Sequence, residues 1–161
     1  MMTKTPEEIA EDNERTNEVG LFNYADAYLV CAKHLINSPP QPRLRYDAPI
    51  HFLLFHAAEL YLKSYLRQKS EDVDALIKLR HYHLRMCDKA ATFGMTLPPE
   101  IYDVFKFLDE TDAVIESRYI RTGPKTRIEI QELLTAVEEV RARVKISHEA
   151  AGVTLAAALP Q

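Results

Sequence analysis

The chain has 161 residues, 47% of them apolar and 27% charged, with a formal net charge of −4. That composition suits one soluble domain with a sizeable core and argues against a basic, non-specific nucleic-acid binder. Two cysteines, Cys31 and Cys87, make no disulfide framework, and the first residues carry no apolar run. A reducing, cytoplasmic setting without a signal peptide is therefore expected.

Residues 1–17 read as a polar N-terminal arm. Thr5-Pro6-Glu7-Glu8 has the pattern of a helix start, with Thr5 as N-cap and Pro6 at the first helical position. The first strong helix is predicted from about Glu18 to Ile36, with Leu21, Tyr24, Ala25, Tyr28, Cys31, Ala32, Leu35 and Ile36 as its apolar face. The Pro39-Pro40-Gln41-Pro42 stretch ends it. A connector carrying Arg43, Arg45 and Tyr46 follows.

The segment Pro49–Arg67 predicts a helix that is apolar almost all round. Such a helix belongs in the middle of a bundle. Its apolar run is interrupted by His51, His56, Glu59 and Lys63, which makes it a poor membrane span, so no membrane association is expected. His56, Glu59 and Lys63 share one stripe, and Glu59 precedes Lys63 in the favourable i,i+4 orientation.

Beyond it, Ser70-Glu71-Asp72 caps a short piece around Val73–Leu79, and a bend at Arg80–His83 leads to a second piece over Leu84–Phe93 closed by Gly94. The next helix opens at Pro98-Pro99-Glu100, turns Ile101, Val104, Phe105, Leu108 and Ile115 inward, and ends near Ser117–Tyr119. A turn at Thr122-Gly123-Pro124 precedes the last helix, about Thr126 to Glu149. Its expected apolar stripe is Ile130, Leu133, Leu134, Val137, Val140 and Val144; Glu138, Glu139, Arg141, Arg143 and Lys145 are its expected solvated side. The small apolar tail covers residues 150–161.

Few residues suggest chemistry. Glu59 and Lys63 can hold a phosphate or pass a proton, or simply form an intrahelical ion pair. His56 is the titrating group on their stripe. Arg118, Tyr119, Arg121, Lys125 and Arg127 combine cations with an aromatic ring, which suits a phosphate or a stacked base. Cys31, His34, His83 and Cys87 have the types for a tetrahedral zinc site, but scattered Cys and His on apolar faces are usually packing residues. No metal and no cofactor are expected.

The order of these elements resembles the HEPN family, named for higher-eukaryote and prokaryote nucleotide binding. His56-Ala57-Ala58-Glu59-Leu60-Tyr61-Leu62-Lys63 is similar to that family's second-helix motif of a Gln or His, two small residues, a Glu and a Lys. Tyr82-His83-Leu84 resembles its short G-H-D-L stretch, with Tyr82 and His83 where the family has His and Asp. Arg118-Tyr119 is similar to its R-Y-P, with Ile120 in place of Pro. The likeness spans about residues 18–148.

The resemblance implies an all-α antiparallel bundle of about five helices over residues 18–149, a nucleotide- or RNA-associated role, and a homodimer or partner-binding module. Many relatives are metal-independent ribonucleases or toxins of toxin–antitoxin type, with an Arg and, after four to six intervening residues, a His at the start of a late helix. Here Arg45–His51, Arg141–His148 and Arg143–His148 have that spacing but not that placement. Arg143 and His148 are thus the candidate catalytic pair of a less favoured ribonuclease reading, and the expected domain is non-catalytic. The third alternative is a purely structural adaptor. The expected ligand-binding residues are His56, Glu59, Lys63, Arg118, Tyr119 and Arg121.

Overall fold

A computed structural model describes residues 4–39, 41, 46–113 and 127–155. The fold is an all-α bundle. Among the described residues the helices are α1 (Pro6–Arg15), α2 (Glu18–Ile36), α3 (Asp47–Gln68), α4 (Val73–Lys78), α5 (His83–Thr92), α6 (Pro99–Glu110) and α7 (Ile130–Ala150).

The ends follow local chemistry. Thr5 and Glu8 form a reciprocal capping box before Pro6. Asn17 and Asp72 accept backbone N–H groups at the starts of α2 and α4. Gly94, at φ 92°, closes α5: its own N–H reaches Ala91 O and that of Met95 reaches Ala90 O. Tyr82 gives α5 no side-chain cap. Asp109 of α6 does so from across the bundle, accepting the N–H groups of His83 (3.0 Å) and Leu84 (2.8 Å).

Helix α3 is the centre, packed against α2, α4, α5 and α7. Leu54, Ala57, Ala58, Tyr61, Leu62 and Leu66 are completely enclosed or nearly so. It begins two residues before Pro49, which is tolerated because first-turn N–H groups have no intrahelical partner. The His51 ring lies between the carbonyls of Asp47 (2.7 Å) and Ile128 (2.8 Å) and ties this start to the entry of α7.

Several expectations need correction. The buried face of α2 is Phe22, Ala25, Asp26, Leu29 and Ala32; Tyr24 is 69% exposed and Cys31 lies on the surface. The helix is rotated by roughly one residue because Asp26 is drawn inward by partners on α3 and α7. Arg141, expected on the solvated side of α7, is one of those partners. Helix α6 ends at Glu110, with Asp112 in the left-handed region (φ 49°), rather than near residue 117. Helix α7 starts at Ile130, after the non-helical residues 127–129. The polar N-terminal segment contains a helix that buries none of its residues. Arg67 ties it down by donating to Thr16 O (3.0 Å) and Asn13 O (2.8 Å). Among the described residues, no helix is long and apolar enough to cross a membrane.

Candidate functional site

The α3 stripe forms the predicted cluster and recruits one more residue. Glu59 accepts a hydrogen bond from Lys63 Nζ on one oxygen (2.6 Å) and from His81 Nδ1 on the other (2.7 Å). His56 Nδ1 stands 4.0 Å from that second oxygen. His81 comes from the turn between α4 and α5, where Arg80 adopts a left-handed backbone (φ 52°) and reverses the chain. The Glu59 side chain is only 4% exposed, whereas Lys63 is 15% and His81 43% exposed. The carboxylate is thus an interior anchor for two donors at the protein's edge.

Burial alone pushes the Glu59 carboxyl up, but the Lys63 ammonium and the His81 ring outweigh it and hold it below the usual carboxylate range. Glu59 is therefore an anion near neutral pH, so His81 Nδ1 carries the proton and Nε2 is left for another partner. Lys63 has three N–H groups, of which Glu59 engages one. Beside them the His56 ring meets the Tyr28 ring edge-on at 4.4 Å and lies nearly parallel to Phe52 at 6.1 Å. The Lys63 ammonium suits a phosphate oxygen, the His81 Nε2 lone pair suits a ribose hydroxyl or a base N–H, and flat rings suit a nucleobase.

Arg143 and His148 do not combine. Five residues apart on one helix, they project about 140° from each other. Arg143 pairs with Glu139 at 2.7 Å, whereas the His148 side chain is completely buried. Ser64 donates its hydroxyl to Glu18 O (2.7 Å), so His148 Nε2, 2.7 Å from the same Oγ, is a donor to it. Burial pushes the His148 pKa down, which keeps the ring neutral.

A second ionic cluster was not anticipated. Arg141 reaches Asp26 through two nitrogens (2.7 and 3.1 Å), Tyr61 donates its hydroxyl to the same carboxylate, and Arg141 lies over the Phe22 ring. Asp26 is 35 residues from Tyr61 and 115 from Arg141, so no helical spacing announces this junction of α2, α3 and α7. His81 was missed for a similar reason: it lies 22 residues from Glu59.

The Cys and His residues do not assemble as the zinc reading requires. Cys31 is exposed on α2, and Cys87 is buried on α5, where burial raises its thiol pKa strongly. Buried His83 donates Nε2–H to Phe55 O (2.9 Å). Among the described residues, no group of three or more His, Cys, Asp or Glu side chains can hold a metal ion. Arg118, Tyr119, Arg121 and Lys125 lie outside the described residues, as does Arg45.

Neither the comparison with curated proteins nor that with solved structures gives a match. A family model does match: the HEPN domain, over residues 21–147. That range holds the whole α3 stripe, the α4–α5 turn and nearly all of α7. The chain belongs to the HEPN domain family, which is generally associated with nucleotides and RNA.

Proposed function

We propose that this HEPN domain binds a nucleotide or single-stranded RNA at the edge built on Glu59 and does not cleave it. The observation that carries this reading is the buried Glu59 carboxylate, which holds Lys63 and His81 at the surface beside the His56, Tyr28 and Phe52 rings. Lys63 supplies phosphate donors, His81 Nε2 accepts from a ribose hydroxyl or a base N–H, and the His56 ring supplies a stacking face. Arg118, Tyr119 and Arg121 are proposed as further contacts from the α6–α7 connection. The non-catalytic half of the proposal is supported by the engagement of His148 with Ser64 and by its separation from Arg143.

The domain works as a homodimer or a partner-binding module in a reducing cytoplasm. The support for a dimer lies in the exposed apolar side chains, among them Ile146 on α7.

Fluorescence anisotropy with a labelled single-stranded RNA tests this, followed by gel analysis of the same samples. The expected result is saturable binding, weakened at least about fivefold by His81→Ala and Lys63→Ala together, with intact RNA recovered. Absence of saturable binding to both the RNA and ribonucleotides would favour the structural adaptor. Cleavage abolished by His148→Ala would establish the ribonuclease.

A further inference from the structure

A groove of about 580 Å³ runs between the end of α3, the α5–α6 turn and the outer face of α7. Tyr65, Phe93 and Met95 form one side; Ala142, Ile146 and Ala150 form the other. Two of the exposed large hydrophobic side chains, Phe93 and Ile146, therefore meet at one place, and Ile146 is 64% exposed. Lys69, Thr96, Glu139, Arg143 and Ser147 complete the lining. An exposed apolar side chain beside a groove of mixed polarity makes a patch that can meet its own copy, as a two-fold pair requires.

The sequence of α7 specifies how such a pair fits. Ala142 and Ala150, both exposed, stand four residues before and after Ile146 on the same stripe. Laying a second α7 antiparallel, centred on Ile146, places Ala142 opposite Ala150 of the partner subunit. Small side chains there let the helix axes approach to the close end of the usual range, about 8 Å. The same register sets Arg143 opposite Glu149 of the partner subunit, in both directions. Glu149 is exposed and stands 3.7 Å from Lys145. Arg143 is partly exposed beside Glu139. Opposite charges therefore face each other twice across the axis.

We infer that a second copy of this chain covers this face, with the two α7 helices antiparallel about Ile146. The inference rests on the homodimer reading above and says which surface makes the dimer. It sets the two α7 helices back to back and leaves the outward stripe of α3, with His56 and Lys63, on a different helix from the one that pairs. Each subunit then carries its own Glu59 cluster rather than sharing one.

Light scattering and cysteine cross-linking of the full chain test it. The wild-type protein is expected at twice the 18.5 kDa of one chain. Ile146→Glu is expected at the mass of one chain with an unchanged circular dichroism spectrum, since the side chain is exposed. In a Cys31→Ser background, the Ile146→Cys variant is expected to form a covalent dimer on mild oxidation, because facing residues near a two-fold axis meet disulfide geometry. The Ile77→Cys variant, also at an exposed position, is expected not to cross-link. Exchanging the charges by Arg143→Glu with Glu149→Arg is expected to keep the dimer, while either change alone weakens it. A dimer that survives Ile146→Glu and does not cross-link at position 146 overturns this face and leaves the homodimer standing. A wild-type monomer at all concentrations overturns both.

Discussion

Among the described residues, two buried carboxylates, Asp26 and Glu59, have cationic partners, and they lead different lives. Asp26 sits at the junction of α2, α3 and α7, gripped by Arg141 and Tyr61, and ties helices together. Glu59 is more deeply buried than Asp26, yet its partners reach outward: Lys63 and His81 keep part of their surfaces exposed. The first arrangement aims a guanidinium fork and a phenol hydroxyl from two other helices at one carboxylate. The second leaves N–H groups and an imidazole nitrogen at the edge. The difference lies in what the partners join: Tyr61 and Arg141 bring α3 and α7 onto Asp26 of α2, whereas Lys63 and His81 tie Glu59 only to its own helix and to the α4–α5 turn.

The largest expected effect comes from breaking the inner pair. Arg141→Ala leaves the Asp26 carboxylate in a nearly dry junction with Tyr61 alone, and should lower stability by about 3 kcal/mol. Melting followed by circular dichroism should fall by roughly 10 °C. Replacing both partners, Asp26→Leu with Arg141→Met, should recover most of that loss, since an apolar pair carries no desolvation cost. If the double variant is no better than the single one, the pair is needed for its specific geometry.

Acidification should come next. Burial pushes the pKa of both His83 and His148 below the ordinary histidine value, while Glu18 opposes this weakly at His148 and the Phe55 carbonyl opposes it at His83. The unfolded chain then takes up protons before the folded one, so the stabilisation by these neutral rings is fully present above pH ~6.5 and fades below it. Urea unfolding at pH 7.5 and 5.5 measures the loss. His148→Gln, which retains a donor to Ser64 Oγ, should flatten part of the slope. An identical slope in the variant would show that His148 does not contribute.

The outer pair should matter less to stability. Glu59→Gln removes the charge that orients Lys63 and His81, and should cost about 1 kcal/mol, because both partners can turn to water. Its larger effect should be on RNA affinity, measured by anisotropy, which should fall severalfold. A comparable cost, about 1 kcal/mol, is expected for Lys63→Ala on melting, because His81 still donates to the buried carboxylate. A large destabilisation there would mean that Glu59 and Lys63 play the same structural part as Asp26 and Arg141.

The parts of this picture that local rules govern were legible in the sequence. The near-uniform apolarity of α3 placed it at the centre, and the caps at Thr5, Asp72 and Gly94 marked helix ends through backbone hydrogen bonding. The inner pair was not legible. Arg141 reads as one more charge on a solvated face, and Asp26 lies between apolar residues whose periodicity fits two neighbouring faces of α2. The packing of α2 on α3, with Tyr61 and Arg141 reaching Asp26, chooses between them, and that is a tertiary event. For the site, the spacing of Glu59 and Lys63 was visible because both lie on one helix. His81 was hidden by the α4–α5 reversal at Arg80, which sequence shows only as a bend.

The most direct test of the contrast between the two regions is an NMR titration of the histidine ring signals with a short single-stranded RNA. The chain has six histidines, a set small enough to assign by single substitution. The His56 and His81 signals should shift progressively and saturate together, while those of His83 and His148 stay in place. Shifts at His148 with none at His81 would contradict it and would move the nucleic-acid site from the Glu59 edge to α7.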